Sequence, residues 1–324
     1  MTVKLLEAAD AIRLVPQGGS VALKPNLVVA GSPENGATTH AGVLSGCIAY
    51  FRSHGVRELS VIESSWVGAE TMSAMRRAGY DKVCQAAGVP FYDLKRDATR
   101  PLRTAIGDIE VCCRALDAGL LVDLPVLKGH CQTAMTCALK NLKGCLPDRE
   151  KRRFHAMGLQ KPIAALGAAL KPRLIVVDSI CGDLDFEEGG NPVVMNRVLG
   201  FKDPVLCDSY AAESMGYRPE DIDYIRLAAE LGVGSMDTAS AKVIPLNAGS
   251  DGQMDTKPIK PVKNTRRVAR LAEYASPKDA CSACYGSLIY ALDRLGEAGL
   301  LNPKKKGTPV SYTHLRAHET RHDL

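Results

Sequence analysis

The segment from Leu127 to His155, LKGHCQTAMTCALKNLKGCLPDREKRRFH, holds the densest group of side chains that could do chemistry. Lysine ammonium groups can hold an anion, histidines can transfer protons, and thiols and imidazoles can ligate a metal. The candidate catalytic residues are Lys128, His130 and His155. Lys140 and Asn141 are candidate substrate ligands in the same segment. Alternatively, a helix with its apolar side inside would carry such polar residues outside, and both histidines would be structural.

A second set of polar residues follows other predicted strands. These further candidate substrate ligands are Lys24, Asn26, Thr39, His40 and Asp178. In an open parallel sheet, ligands bind beyond the carboxyl ends of the strands. A helix predicted to begin near Thr39 would offer free N–H groups to a carboxylate or phosphate, and Lys24 would add a positive charge. In the alternative interpretation, Pro25 stiffens a turn and Lys24 is solvated. The sequence has no GxGxxG and no Walker loop, so nucleotide binding has no specific support.

The eleven cysteines are the third chemical feature. Cys281 and Cys284 form a Cys-x-x-Cys pair at the start of a predicted helix, whose macrodipole favours thiolates. The pair is incomplete on its own, because a structural zinc needs four ligands and a 4Fe–4S cluster needs four thiolates. The candidate metal ligands are Cys131, Cys145, Cys281 and Cys284, with His155 as a further candidate. The cysteines predicted to pack in the core are Cys47, Cys84, Cys112, Cys113, Cys137 and Cys207, and Cys181 fits either role.

Composition and charge narrow the class of protein. A chain of 324 residues with 46% hydrophobic and 24% charged residues is typical of a globular protein and argues against a disordered, collagen-like or membrane-bundle chain. The 41 basic and 36 acidic residues give a net charge of +5, which favours a small anionic partner and does not indicate nucleic acid binding. We find no signal-peptide pattern and no apolar stretch of about 20 residues, so no membrane partner is predicted. We expect a cytoplasmic protein with reduced thiols.

Short apolar runs alternate with helical patterns along most of the chain. This alternation predicts an α/β fold with a mostly parallel, doubly wound sheet. Leu102–Ile106 and Ile109–Arg114, separated by Gly107-Asp108, predict an antiparallel hairpin added to that sheet. We also predict a helix from Ala134 to Leu142 and a strand that ends at Asp178.

The chain divides into three predicted parts. Residues 1–250 form the α/β domain, and residues 251–308 form a C-terminal segment with helices and the Cys-x-x-Cys pair. Residues 309–324 resemble a translated sequencing adapter and are predicted to be a non-native tail. A metal-binding tail is the alternative explanation for its three histidines, His314, His318 and His322.

Several blocks of the sequence resemble successive blocks of one known family. They are VALKPNLV with ATTH, VDLPVLKGHCQTAMTCALKNLKGCLPD, FHAMGL, PRLIVVDSICG and FKDPVLCDSYAAESMG. Over roughly residues 20–240 the chain is similar to the domain of unknown function 362 family. The resemblance implies an α/β domain often associated with iron–sulfur proteins, without a generally established activity. The chain lacks the CxxCxxCxxxCP run of a ferredoxin module, and its loop GDLDFEEGGNP departs from the family's usual Gly-Pro-rich turn. The acidic residues of that loop therefore receive no role.

The leading hypothesis is a cytoplasmic enzyme that is metal-dependent or linked to an iron–sulfur cluster and acts on a small anionic substrate. The cluster or other metal ion would sit on the candidate cysteines. The alternative is a non-catalytic iron–sulfur or electron-transfer module that docks on a redox partner protein. A nickel-cofactor isomerase is a third, weaker hypothesis, which no residue match supports. Neither the reaction nor the substrate follows from the sequence.

Overall fold

The computed structural model describes residues 1–247, 267–275 and 282–301, with the side chains of all of these except 282–284. The strands are β1 (Val21–Pro25), β2 (Leu59–Glu63), β3 (Phe91–Asp93), β4 (Thr99–Thr104), β5 (Gly107–Cys112), β6 (Leu120–Leu124), β7 (Lys128–His130), β8 (Ala134–Thr136), β9 (Leu174–Asp183) and β10 (Pro192–Phe201). The helices are α1 (Thr2–Ala8), α2 (Ala41–Ser53), α3 (Thr71–Arg77), α4 (Tyr80–Ala87), α5 (Cys113–Leu116), α6 (Ala138–Asn141), α7 (Asp148–Ala156), α8 (Gln160–Leu170), α9 (Pro204–Ser214), α10 (Asp223–Glu230), α11 (Arg267–Ala272) and α12 (Ser282–Glu297).

The central sheet has six strands in the spatial order β10-β9-β6-β1-β2-β3. Its strand pairs are parallel except for β9 with β10, which is antiparallel. From β1 the chain moves outward to β2 and β3, then returns to the other side of β1 for β6, β9 and β10. The order of the strands therefore reverses between β1 and β6, and open α/β sheets bind ligands at such a point. The predicted α/β fold with a mostly parallel sheet is confirmed.

Alternate residues of the buried strands face two layers of helices. On β1, Val21 and Leu23 pack with residues of α1 to α4, whereas Ala22 packs with residues of α6 to α10. A strand that is covered on both faces reads as a near-continuous apolar run, and β6 (Leu-Leu-Val-Asp-Leu) is buried at every position. The sheet is thus doubly wound.

The predicted hairpin is present as β4 and β5, but it forms a separate two-stranded sheet instead of extending the central one. Thr104 pairs with Gly107, so the turn lies at Ala105 and Ile106 and not at Gly107 and Asp108. Gly107 has a φ of +93°, a backbone region that favours glycine. The antiparallel strand in the central sheet is β10.

The helix predicted over residues 134–142 is wrong in its first part. The Nδ1 atom of His130 accepts hydrogen bonds from the backbone N–H groups of Gln132 at 3.1 Å and Thr133 at 3.2 Å. These bonds stabilise a turn that reverses the chain, and Ala134 adopts a φ of +62°, which a right-handed helix does not contain. The residues that follow therefore form β8, which pairs with β7, and the helix α6 begins only afterwards.

Two element ends also differ from the prediction. β9 continues past Asp178 to Asp183, because β10 pairs with it over this length. α2 begins at Ala41, with His40 in the N-cap position, two residues after the predicted start near Thr39.

The C-terminal segment predicted for residues 251–308 is described only in α11 and α12. Leu271 of α11 and Ile289 of α12 pack against Phe186, in the loop between β9 and β10. The predicted tail, residues 309–324, lies outside the described residues. No helix in the described ranges is both long enough and apolar enough to cross a bilayer.

Candidate functional site

A buried ion pair joins the ends of β1 and β2. The Nζ atom of Lys24 donates a hydrogen bond to Glu63 Oε2 at 2.7 Å, and Lys24 and Glu63 are only 0% and 2% exposed. Burial alone would lower the pKa of Lys24, but Glu63, together with Cys145 and Asp123, outweighs it, so the pKa is raised. The ammonium group therefore stays charged, and removal of either partner would leave the other as an uncompensated buried charge.

Gly144 makes room for this ion pair. A Cβ atom at this position would collide with the Glu63 carboxylate and would lie 2.7 Å from Lys24 Nζ. We expect Gly144→Ala to lower the free energy of unfolding by about 1–3 kcal/mol, because the buried pair must shift. The control is Gly42→Ala in the first turn of α2, where a Cβ atom has nothing within 4 Å and the change should be neutral or stabilising by up to ~1 kcal/mol. Urea denaturation measures both, and equal effects would contradict the packing argument.

A chain of side-chain hydrogen bonds crosses the point where the strand order reverses. Lys128 Nζ donates to Asn26 Oδ1 at 3.1 Å, Asn26 Nδ2 donates to Asn141 Oδ1 at 2.8 Å, and Asn141 Nδ2 donates to Asp123 Oδ1 at 2.8 Å. Burial raises the pKa of Asp123 to about 8, although Lys24 opposes this. These hydrogen bonds fix the orientation of both amides. Asn26 directly follows β1, and Asn141 is the last residue of α6.

Lys128 and His130 both hold the acidic loop between β9 and β10. The ammonium group of Lys128 also donates to the carbonyl oxygens of Ala37 at 2.7 Å and Glu187 at 2.9 Å. Burial lowers the pKa of Lys128 to about 8. His130 Nε2 lies 3.1 Å from Glu187 Oε2, and burial lowers the pKa of His130 to about 4. Because Nδ1 of His130 accepts two backbone hydrogen bonds, the neutral ring carries its proton on Nε2 and donates it to Glu187.

Glu187 is the carboxylate that the sequence left without a role. Its Oε1 atom pairs with Lys140 Nζ while its Oε2 atom pairs with His130. Burial would raise the pKa of Glu187, but Lys140 and His130 hold it well below its usual range. Glu187 therefore binds Lys140 and His130, two groups that could otherwise bind an external anion.

Thr39, His40 and Asp178 connect α2 with the sheet. The Thr39 hydroxyl donates to the carbonyl of Leu124 at 2.7 Å and accepts the N–H of Asn26 at 2.9 Å. Asp178 accepts the backbone N–H of His40 at 2.6 Å and contacts its Nδ1 at 2.8 Å, and this hydrogen bond raises the pKa of His40. The protein's own carboxylate thus lies at the helix start where we expected an external anion.

An open cleft with a cavity volume of about 60 Å³ lies at the carboxyl ends of β1 and β2. Its charged and titratable lining residues are Glu63, Lys140, Lys143, Lys151, His155 and Glu187. Glu63 is paired with Lys24, which lies outside the lining, and Glu187 is paired with Lys140. The three lysines of the lining outnumber its two carboxylates, so positive charge is in excess. Of the predicted site residues, the cleft is lined by Asn26, Lys140, Asn141 and His155. The predicted residues outside this lining are Lys24, Thr39, His40, Lys128, His130 and Asp178.

Lys143 and His155 contact each other in the lining of the cleft. The Nζ atom of Lys143 lies 3.1 Å from His155 Nε2, and both side chains are partly buried. Burial, with the nearby charge of Lys140, lowers the pKa of Lys143 to about 7. Burial and the charge of Lys143 also lower the pKa of His155, so its ring is neutral and accepts a hydrogen bond from the ammonium group. Lys143 can therefore gain and lose a proton near neutral pH.

Four residues that line the cleft were not among the site residues predicted from the sequence. They are Lys143, Lys151, Glu63 and Trp66. Lys151 holds the loop after β2, since its Nζ atom donates to Ser64 Oγ at 2.6 Å and to the Ser65 carbonyl at 2.7 Å. Trp66 is 44% exposed and lies at the cleft. Glu63 lies at the end of a strand, as Lys24 does, and this position is the sequence signal that points to Glu63 as a site residue.

The described thiols do not supply a complete iron–sulfur site. Cys145 is fully buried beside Lys24, and burial raises its pKa. Cys131 is partly buried against α12, and a Cβ atom on Gly286 would lie 3.0 Å from its Sγ atom. Cys281 lies outside the described residues, and the Cys284 side chain is not described. Within the described part of the chain, neither Cys131 nor Cys145 belongs to a group of three close ligand atoms.

Comparison with known proteins places this site in a family. A family model described as domain of unknown function (DUF362) matches residues 21–213, which is more than half of the chain. The chain belongs to the DUF362 family. In this DUF362 protein the matched range begins at β1, ends within α9 and includes every lining residue of the cleft. Cys281 and Cys284 lie beyond it.

One curated relative is similar over most of its length. The thylakoid-associated protein sll1697 of Synechocystis sp. is 24% identical over 244 residues, which cover 72% of this chain and 74% of the relative. That name states where the relative is found and gives no reaction. The function of this DUF362 protein must therefore be argued from its own cleft.

Proposed function

We propose that the protein is an enzyme that binds a small carboxylate or phosphate in the cleft and transfers a proton to or from it through Lys143 and His155. The proposal rests on one observation, which is the contact between Lys143 Nζ and His155 Nε2 at 3.1 Å in a cleft with excess positive charge.

Lys143 differs from the other lysines around the cleft in its described partner. Lys24 and Lys140 are paired with glutamates, and Lys151 donates to oxygen atoms of the loop after β2. The described partner of Lys143 is a histidine nitrogen. An anion that enters the cleft can therefore bind the Lys143 ammonium group without breaking an existing ion pair of that group.

The same pair supplies acid–base chemistry. A general acid or base works best when its pKa lies near the working pH, and the pKa of Lys143 is lowered to about 7 by burial and by Lys140. Protonated Lys143 donates a proton to the bound substrate, and the neutral amine takes one back. His155 Nε2 orients the amine, because it accepts the Lys143 hydrogen bond.

Trp66 provides a direct test of binding, because it is the single tryptophan of the chain and lies at the cleft. We would titrate the protein with inorganic phosphate, oxalate and citrate at constant ionic strength, with chloride as the reference anion. A saturable change in fluorescence with phosphate or a carboxylate, but not with chloride, supports the proposal. The absence of saturable binding for the whole panel, checked by calorimetry, would overturn it.

The affinity for the anion should depend on pH. Because the pKa of Lys143 is lowered to about 7, its ammonium group is present below pH 7 and is lost above it. We expect the association constant to fall by up to about tenfold per pH unit above 7. Lys143→Arg keeps the charge at all these pH values, so its affinity should stay nearly constant up to pH 8. A wild-type profile as flat as that of the arginine variant would rule out Lys143 as the titrating group.

Glu187 should compete with the anion. Its carboxylate is bound to Lys140 and His130, so Glu187→Gln removes a negative charge from the cleft without removing the side chain. We expect anion binding to become about threefold to tenfold tighter, in line with the usual size of a single charge effect near a surface. Glu230→Gln on the exposed side of α10 is the control and should leave affinity unchanged.

An iron–sulfur cluster or other metal ion on Cys281 and Cys284 is a second part of the proposal. The support is the Cys-x-x-Cys spacing, together with the position of Cys131 against α12, which begins directly after Cys281. Anaerobic purification followed by iron and labile-sulfide analysis tests it. A colourless protein without iron and sulfide would remove the cluster and leave the anion site intact.

We also propose that the protein works in the reducing cytoplasm. The nine cysteines with described side chains are free thiols, which is the usual state in that compartment.

A further inference from the structure

A second group of possible ligands lies outside the cleft, between α6 and α9. Its members are Cys137, which precedes α6, and the neighbouring residues Cys207 and Asp208 of α9. All three are 0% exposed, and their ligand atoms lie within 4.8 Å of one another. Cys137 lies 70 positions before Cys207, so the fold brings it to the other two residues.

The sulfur atoms have the separation that a tetrahedral metal requires. The two Sγ atoms lie 3.8 Å apart. A disulfide would hold them at about 2.05 Å, whereas two sulfurs bound at about 2.3 Å to one tetrahedral zinc are about 3.8 Å apart. The pair is therefore too far apart for a disulfide, and its separation fits a shared ion as well as a thiol–thiol contact.

The surrounding groups are polar and buried. Asp208 accepts hydrogen bonds from the backbone N–H groups of Ala138 at 2.7 Å and Leu139 at 3.2 Å. Tyr224 is 0% exposed, and its hydroxyl lies beside the Asp208 carboxylate.

We propose that Cys137, Cys207 and Asp208 hold a structural Zn²⁺ ion through their two sulfurs and the carboxylate. Thiolate and carboxylate are ligands that zinc accepts. Binding displaces the thiol protons into solvent, and the two positive charges of the ion then offset two of the three negative charges of the thiolates and the carboxylate. The two cysteines were predicted to pack in the core, and the zinc site gives them a further role.

The ion would connect α6 with α9. Lys140 and Asn141 of α6 line the cleft, so a fixed α6 holds both side chains in place. The proposal does not depend on the proposed function, because a structural zinc would be present whatever the cleft binds.

Metal analysis of the full chain tests the site. The protein would be produced with zinc in the medium, purified without chelators and analysed by plasma mass spectrometry. We expect about one zinc per chain in the wild type, and loss of most of it in Cys137→Ser and Cys207→Ser. Cys47→Ser is the matched control, since Cys47 is equally buried in the other helix layer, and it should keep its zinc. Cys284→Ser should also keep it, which separates this ion from any metal on the Cys-x-x-Cys pair.

Two results would overturn the proposal. One is a wild-type chain without zinc, and the other is zinc content that does not change in either serine variant. If the serine variants fail to fold, Co²⁺ loading of the wild type replaces them. Intense visible bands of tetrahedral cobalt with thiolate charge transfer support the site, whereas their absence, or a Cys137–Cys207 disulfide found by mass spectrometry, contradicts it.

Discussion

Replacing Lys24 with methionine should lower the free energy of unfolding by about 3–5 kcal/mol, because it leaves the Glu63 carboxylate buried without its cation. Glu63 is 2% exposed, and Lys24 Nζ lies 2.7 Å from its Oε2 atom. Methionine keeps most of the volume of lysine, so the loss reports charge and not a cavity. Chemical denaturation of the full chain measures the effect.

Two further variants separate the buried charge from other effects. Lys24→Met combined with Glu63→Leu should recover most of the lost stability, since a buried ion pair replaced by apolar residues is often neutral. Arg226→Met breaks two exposed ion pairs on α10 and should cost less than about 1 kcal/mol. A Lys24→Met protein as stable as Arg226→Met would show that the ion pair at the end of β1 does not matter.

Replacing Lys143 with methionine should weaken anion binding by about tenfold to a hundredfold, which corresponds to the loss of one hydrogen bond to a charged group. Lys143 lines the cleft, and its described partner is the neutral ring of His155, so the variant leaves no buried carboxylate unpaired. The protein should therefore fold normally while its Trp66 fluorescence responds only at much higher anion concentration.

Lys161→Met is the matched control for this change. Lys161 is exposed on α8 and does not line the cleft, so the same change in net charge should alter the affinity by less than about twofold at physiological salt. If both variants lost the same affinity, binding of the anion would depend only on the net charge of the protein and not on Lys143. Retained affinity in Lys143→Met would place the anion elsewhere.

The sequence predicts the sheet well because its signals are local. β1, β6 and β9 are buried on both faces, so each one is visible as a short apolar run between turn residues. The carboxyl ends of such strands share one edge, which brings Asn26, Lys140 and Asn141 into one site. The course of the chain after β7 was not predictable in this way, because it depends on two hydrogen bonds to the His130 ring.

The partners of the charged residues were harder to predict than their positions. Lys24 and Glu63 are separated by 39 positions in the sequence, and they meet only because β1 and β2 pair in one register. Lys143 and His155 are 12 positions apart and contact each other only in the folded chain, and periodicity carries no information about such a contact. Glu187 was left without a role for the same reason, since its contacts depend on how the loop after β9 folds back.

The most direct test of the proposed anion site is a measurement of the pKa of the Lys143 side chain, with and without an anion. It can be measured by NMR pH titration of protein labelled with ¹³C at lysine Cε, with the signal assigned by Lys143→Arg. We predict a titration near pH 7, well below the usual 10.5, that moves to higher pH when oxalate or phosphate is added. A Lys143 signal that titrates near 10.5 and does not respond to either anion would contradict the proposed site.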